Sequence, residues 1–221
     1  MIDYKIDIVY KKVKYINIKV KPDMRVILTA PFKVDSNRVN KFIFKKNLWI
    51  KEKLAWFKEN SPVKTVKNYV SGESFEYLGK NYRLKVIKDN IEDVKLINGY
   101  LTIFTLKIDD RIYKESLVYK WYYEHAKIIF NDLLVYWSEK TDLYPSLFRI
   151  KKMKTRWGSC NTKKRYINLN LELIKKEKYC IEYVVLHELV HLKHNHHQKN
   201  FYNHLALYMP DWKIRKQKLN I

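Results

Sequence analysis

The sequence is poor in cysteine, glycine and long apolar segments, and each shortage excludes a class of protein. Two cysteines, Cys160 and Cys180, are too few for a disulfide framework or a cysteine-only metal site, so we expect reduced thiols. The four glycines do not form a glycine-rich phosphate-binding loop of either common type. No charge-free apolar stretch approaches the roughly 18 residues that a membrane-spanning helix needs. We therefore expect a globular protein with no membrane partner.

The beginning of the chain does not match a secretion signal. Asp3 and Asp7 stand where a signal peptide would have a basic and then an apolar run. We therefore expect the protein to stay in the cytoplasm. Its length of 221 residues and hydrophobic content of 47% are sufficient to bury a core.

Positive charge is in clear excess. The 45 Lys and Arg residues against 23 Asp and Glu residues give a formal charge of +22, which attracts polyanions such as nucleic acids. However, 37 of the basic residues are Lys, and residues 1–106 and 107–221 carry the same excess of +11 each. No arm or tail stands out. Non-specific contact with nucleic acid through a basic surface therefore stays open as an alternative.

Hydrophobic periodicity predicts an α+β organisation. Residues 1–106 contain alternating segments typical of β-hairpins, including a strong two-residue turn signal at Asn98-Gly99, and one amphipathic helix. A long helix is predicted from residue 109 to about residue 141, and the rest of the chain is rich in helical patterns. We expect a small β-rich α+β unit over 1–106 and a helix-rich domain over 107–221.

The segment that carries chemistry is His187-Glu188-Leu189-Val190-His191, an H-E-x-x-H pattern. On a helix, residues four apart share a face, so both imidazoles can point at one cation. Glu188 lies about 100° around the helix from His187, and can reach a water molecule beside the metal. The other positions of the helical segment around this pattern are almost all apolar, which predicts a helix buried in the core.

A third zinc ligand must come from the histidines that follow this helix. His194 shares the helical face of His191, but three ligands from one straight helix crowd one side of the ion. His197 can be presented after the helix has ended, and its spacing of six residues from His191 is that of metzincin motifs. We favour His197, followed by His196 and then His194. Three histidines with one open position are typical of a catalytic zinc site.

Several segments form a recognisable signature together with this helix. They are HELVHLK over 187–193, NHH over 195–197, FY over 201–202, YMPDW over 208–212 and MKTRWGSC over 153–160. These segments resemble the YgjP-like metallopeptidases, which are relatives of the SprT-type and WLM zincins. A looser match before residue 106 extends the resemblance over nearly the whole chain.

The resemblance implies that His187, His191 and His197 bind one Zn²⁺ per chain and that Glu188 is the catalytic residue. It also implies a zincin-like minimal metallopeptidase domain for the helix-rich part of the α+β fold. The expected activity is hydrolysis of peptide bonds in a polypeptide substrate. Glu188 would take a proton from the metal-activated water and deliver it to the leaving amine.

Two further hypotheses concern the segment before the H-E-x-x-H helix. Arg156 is a candidate partner for an oxyanion or a substrate carboxylate, because its guanidinium is always charged. The alternative is a structural arginine that holds the turn at Trp157. The strand predicted over 166–171 can pair with an extended substrate if it lies at a sheet edge, and has no substrate role if it is interior.

The competing function is a basic, nucleic-acid-associated protein with a non-catalytic zinc site. Basic runs at 151–156 and 213–218 favour it. A structural zinc site, however, needs a fourth protein ligand and does not require a carboxylate at the second position of the motif. Glu188 therefore distinguishes the peptidase from a protein with a structural zinc site. A protease that acts on DNA-bound proteins is a further hypothesis, by analogy with SprT relatives.

Overall fold

The computed structural model describes residues 4–21, 23–60 and 66–219, and the chain divides into two units, Met1–Val66 and Lys67–Ile221. Each unit has its own buried apolar cluster. The predicted boundary at 106/107 lies later in the chain than this division. The reason is that buried residues such as Leu84 and Ile103, from the sheet before residue 106, share one core with the long helix that follows.

The first unit is a three-stranded sheet followed by one helix. Strands β1 (Ile6–Lys11), β2 (Asn17–Val20) and β3 (Val26–Pro31) lie in the order β1-β3-β2, with β1 parallel and β2 antiparallel to β3. Strands β2 and β3 form one of the β-hairpins predicted within residues 1–106, and Pro22 between them lies outside the described residues. Helix α1 (Ser36–Asn60) covers the sheet. The buried cluster comprises Ile18, Val26, Leu28, Ala30, Val39, Ile43 and Ile50.

The second unit begins with a four-stranded sheet in the order β4-β5-β7-β6. Its strands are β4 (Ser74–Tyr77), β5 (Lys80–Ile87), β6 (Asp93–Ile97) and β7 (Tyr100–Phe104). The predicted turn at Asn98-Gly99 joins β6 to β7, with φ of 49° and 79° at the two residues. A two-residue turn with both φ values positive matches the right-handed twist of a hairpin.

Helix α2 (Arg111–Thr141) confirms the predicted long helix. Its first turn is capped by Asp110, whose carboxylate accepts a hydrogen bond of 2.9 Å from the amide of Tyr113. Fully buried residues such as Ala126 and Phe130 join this helix to the core of the second unit.

The remaining elements form the part of the second unit that carries the candidate site. They are β8 (Leu147–Lys151), β9 (Gly158–Asn161), β10 (Tyr166–Asn170), a 3-10 helix (Leu171–Lys175), α3 (Lys178–Val190), α4 (Lys199–Tyr208) and α5 (Trp212–Leu219). The strand order is β8-β10-β9. Strand β10 is therefore interior, so the substrate-pairing role considered for it is excluded. Among the described strands of this sheet, β8 and β9 are the two edge strands.

The predicted α+β fold is confirmed by the five helices and three small sheets of the described residues. Across 4–21, 23–60 and 66–219, no helix has both the length and the apolar composition required to cross a bilayer.

Candidate metal centre

Three imidazoles converge at the end of α3. Nε2 of His197 lies 2.9 Å from Nε2 of His187 and 3.0 Å from Nε2 of His191. Burial lowers the pKa of His187 to about 3, assisted by the neighbouring imidazoles, and burial also lowers the pKa of His191 and His197. Neutral imidazoles are the form that coordinates a metal ion. The cluster is therefore a donor set suited to zinc.

The apolar composition of α3 explains the position of the first two histidines. Ile181, Val185 and Leu186 are fully buried, so the helix lies in the core as predicted. The helix ends at Val190, and His191 follows as its cap residue. His187 and His191, four residues apart, thus share the face that meets the third imidazole.

A tight turn after α3 allows His197 to come from a separate segment. The amides of Lys193 and His194 both bond to the carbonyl of Val190, at 3.1 and 3.0 Å. The chain then leaves the helix direction, and His197 precedes α4 by two residues. His197 is thus presented after the helix has ended, as its six-residue spacing from His191 predicts.

Hydrogen bonds to the other ring nitrogens orient two of the imidazoles. Nδ1 of His191 lies 2.9 Å from the carbonyl oxygen of His194, which can only accept, so Nδ1 carries the proton. The lone pair of His191 is then on Nε2 and faces the cluster. Nδ1 of His187 lies 3.4 Å from the hydroxyl of buried Tyr183. Such partners fix tautomer and ring orientation at metal sites.

Phe201 forms an apolar wall against all three rings. It is fully buried, and its ring centroid lies 4.9 Å from that of His187 and 4.7 Å from those of His191 and His197. No role was predicted for Phe201 or Tyr183 from the sequence. The spacing of Tyr183, one helical turn before His187 on α3, is a signal that could have indicated its contact with that imidazole.

Glu188 is buried beside this cluster, with 6% of its surface exposed. Its carboxyl group lies against the first residue of β9, since a Cβ placed on Gly158 would be 2.6 Å from Oε1 of Glu188. Burial raises the pKa of Glu188 to about 8, and the positive charge of Arg156 acts in the opposite direction. Gly158 belongs to the 153–160 signature segment, but no local sequence pattern connects it with Glu188.

Arg156 lies outside the histidine cluster, in the exposed segment between β8 and β9. Its positive charge lowers the pKa of Glu188 and so opposes part of the increase that burial causes. Asn170 of β10 holds this segment, because its side-chain amide donates to the carbonyls of Arg156 and Met153, each at 2.9 Å. The backbone of Arg156 is thus fixed by a hydrogen bond, while its guanidinium is exposed.

The other two candidates for the third ligand do not join the cluster. Nε2 of His194 lies 3.0 Å from Nδ1 of His204, so these two rings pair with each other. His196 is exposed. Within the described part of the chain, the histidine, cysteine and acidic side chains that come together closely enough to hold a metal ion are those of His187, His191 and His197.

Comparison with known proteins identifies the family of the chain. Residues 14–221 match the YgjP-like metallopeptidase domain. Two solved structures are similar to part of the chain, the metallopeptidase zymogens abylysin of Pyrococcus abyssi and jannalysin of Methanocaldococcus jannaschii. No curated protein is significantly similar.

Both structural similarities are distant. Abylysin is 22% identical, over 41% of this chain and 90% of its own, with a TM-score of 0.38. Jannalysin is 24% identical, over 41% of this chain and 86% of its own, with a TM-score of 0.37. The family match, in contrast, spans most of the sequence. The chain therefore belongs to the YgjP-like metallopeptidases and is a peptidase, as the signature segments predicted.

Proposed function

We propose that the protein is a zinc-dependent peptidase in which His187, His191 and His197 hold one zinc ion and Glu188 is the general base. The observation that carries this proposal is the convergence of three Nε2 atoms, together with the buried carboxyl group of Glu188, the residue that follows His187 on α3. A zinc ion bound there would lower the pKa of a water molecule from 15.7 toward about 7 and polarise the scissile carbonyl.

The donor set supports a catalytic rather than a structural site. A structural zinc site is closed by four protein ligands, whereas a catalytic site keeps one position for solvent. No fourth histidine, cysteine or acidic side chain from the described residues joins the three imidazoles. This favours the peptidase over a nucleic-acid-associated protein with a non-catalytic zinc.

Glu188 is suited to moving a proton in both directions. Its burial favours the protonated carboxyl, while Arg156 favours the carboxylate, so neither form is excluded. Glu188 would accept a proton from the attacking water and deliver it to the leaving amine. Arg156 would donate to the oxyanion or to a substrate carboxylate from the solvent side, since its guanidinium is always charged.

The substrate would bind as an extended polypeptide along β9. Strand β9 has a free edge in its three-stranded sheet, and free backbone groups at an edge can pair with an added strand. Its first residue, Gly158, lies against Glu188, so a peptide paired there would run past the general base. Backbone pairing tolerates many side chains, so we expect cleavage with little sequence preference.

The cytoplasm is the compartment that we propose for this activity. Cys160 and Cys180 are both free thiols, which is the usual state of cysteine in that reducing environment.

Glu188→Gln tests the proposal. We expect about one zinc per chain in this variant, together with a loss of at least about a hundredfold in the cleavage of unfolded casein. Glu139→Gln, at an exposed position of α2, is the matched control and should retain both zinc and activity. Undiminished cleavage by Glu188→Gln would refute the role of this carboxylate.

A further inference from the structure

The positive charge of the chain is concentrated in its first unit. Residues 1–66 contain 16 Lys and Arg residues and 6 Asp and Glu residues, a formal charge of +10. Residues 67–221 contain 29 and 17, a formal charge of +12 over more than twice the length. Dividing the sequence at residue 106 conceals this difference, because the residues of the four-stranded sheet are then counted with the first unit and lower its mean charge per residue.

Part of this charge lines a groove between the sheet and α1. The groove encloses about 340 Å³, and Lys14, Arg38, Lys41 and Lys45 contribute to its walls, whereas no acidic residue does. All four are exposed, and none forms an ion pair with a carboxylate in the ranges 4–21, 23–60 and 66–219. With respect to the described residues, the groove is therefore a cationic surface without paired carboxylates.

The spacing of the helical cations suits a chain of negative charges. Arg38, Lys41 and Lys45 lie three and four residues apart, so they share one face of α1. A rise of 1.5 Å per residue distributes them over about 10 Å along the helix axis. A linear polyanion can contact all three at once, whereas a single small anion cannot.

Aromatic rings lie within the same groove. Tyr15 is 69% exposed, and Phe42, half-buried, lies beside the cations of α1. Lys14 positions its ammonium group 5.5 Å from the centroid of the Tyr15 ring. Unpaired bases stack on accessible aromatic rings, while the surrounding cations neutralise the backbone phosphates.

We infer that this groove binds single-stranded nucleic acid. A concave surface that combines cations with an exposed ring matches a flexible strand with free base faces. A duplex buries those faces, and an acidic polypeptide has a ring only where an aromatic residue interrupts its carboxylates, whereas a single strand has a base beside every phosphate. The inference concerns the first unit alone and goes beyond the proposed peptidase, since none of its residues belongs to the histidine cluster.

Fluorescence anisotropy of a labelled 20-nucleotide oligothymidylate with the full chain tests the inference. The triple variant Arg38→Gln, Lys41→Gln, Lys45→Gln should bind at least about tenfold more weakly. Its salt dependence should be shallower by about 2, because each phosphate contact of a single strand contributes about 0.7 to the slope. The matched control, Lys5→Gln, Lys19→Gln, Lys58→Gln, removes the same charge from exposed positions outside the groove and should remain within about twofold of the wild type.

Substitution of Tyr15 separates stacking from charge. Tyr15→Ala should weaken binding by about 5- to 150-fold, and Tyr15→Phe should restore it, because the ring and not the hydroxyl stacks. Equal losses in the two triple variants would overturn the inference. So would tighter binding of a duplex of equal length, of polyglutamate or of phosphatidylserine vesicles than of the oligothymidylate. Zinc content should be the same in all variants.

Discussion

Glu188 occupies the space that a side chain at residue 158 would need. A Cβ on Gly158 would lie 2.6 Å from Oε1, 2.7 Å from Cγ and 2.9 Å from Cδ of Glu188. Such distances are shorter than any van der Waals contact, so a side chain at residue 158 would force the Glu188 carboxyl group to move. The carboxyl group is thus placed by contact with β9 as well as by its position on α3.

Gly158→Ala should therefore displace Glu188 and leave the imidazoles in place. We expect about one zinc per chain and a fall in kcat of at least about tenfold, because small displacements of a catalytic group are costly. Lys163→Ala, at an exposed position of the turn after β9, is the control and should resemble the wild type.

Urea unfolding distinguishes this contact from a general effect on β9. Overpacking by one methyl group typically lowers the free energy of unfolding by about 1–3 kcal/mol. In a Glu188→Ala background the space is free, so Gly158→Ala should then cost much less. An equal cost in both backgrounds would contradict the close approach.

Under the proposed role of Arg156 as a charged donor to the reacting oxygen, Arg156→Ala should lower kcat/KM by at least about tenfold. Stability should change by less than about 0.5 kcal/mol, since the side chain is exposed. Arg156→Lys should retain part of the activity, and exposed Lys154→Ala is the control. Normal kinetics combined with a clear loss of stability would instead support the structural alternative, in which Arg156 holds the turn at Trp157.

Arg215 is expected to hold α5 against α3. Its guanidinium lies 2.7 Å from the Glu182 carboxylate and 2.8 Å from that of Asp211, and 19% of its side chain is exposed. Arg215→Met should lower the free energy of unfolding by about 1–3 kcal/mol, measured by urea titration. Lys95→Met removes an exposed pair with Asp93 and should cost less than about 0.5 kcal/mol. Equal effects would contradict the assignment.

The two thiols should be slow to react in the folded protein. Burial and the nearby Glu188 charge raise the pKa of Cys160 to about 11, and burial raises the pKa of Cys180. A raised pKa means less thiolate at a given pH, so both thiols should be almost entirely protonated at neutral pH. Alkylation by iodoacetamide should be much faster in urea than in buffer, and in buffer should accelerate as pH rises. Equal rates would contradict the buried environment.

Local signals in the sequence predicted the elements that carry the site. The H-E-x-x-H helix was predictable because its apolar positions require burial. The β6–β7 hairpin was predictable because Asn and Gly tolerate the positive φ values that its two-residue turn requires. The six-residue spacing from His191 favours His197, whose imidazole lies with those of His187 and His191. In each case, the determining interactions lie within a few residues of one another along the chain.

Interactions between distant segments could not be predicted in the same way. Strand β1 was missed because its apolar residues Ile8, Val9 and Tyr10 are exposed and do not alternate. The basic run at 213–218 indicated a charged surface, whereas Arg215 is used in internal ion pairs. The contact of Gly158 with Glu188 joins two elements that no local pattern relates.

Metal content is the most direct measure of the central claim that three imidazoles hold one zinc ion. Elemental analysis should find about one zinc per chain in the wild type and in His196→Ala, which removes an exposed histidine beside the cluster. His197→Ala should retain far less, since it leaves two ligands. A full equivalent of zinc in His197→Ala, or its loss in His196→Ala, would contradict the proposed centre.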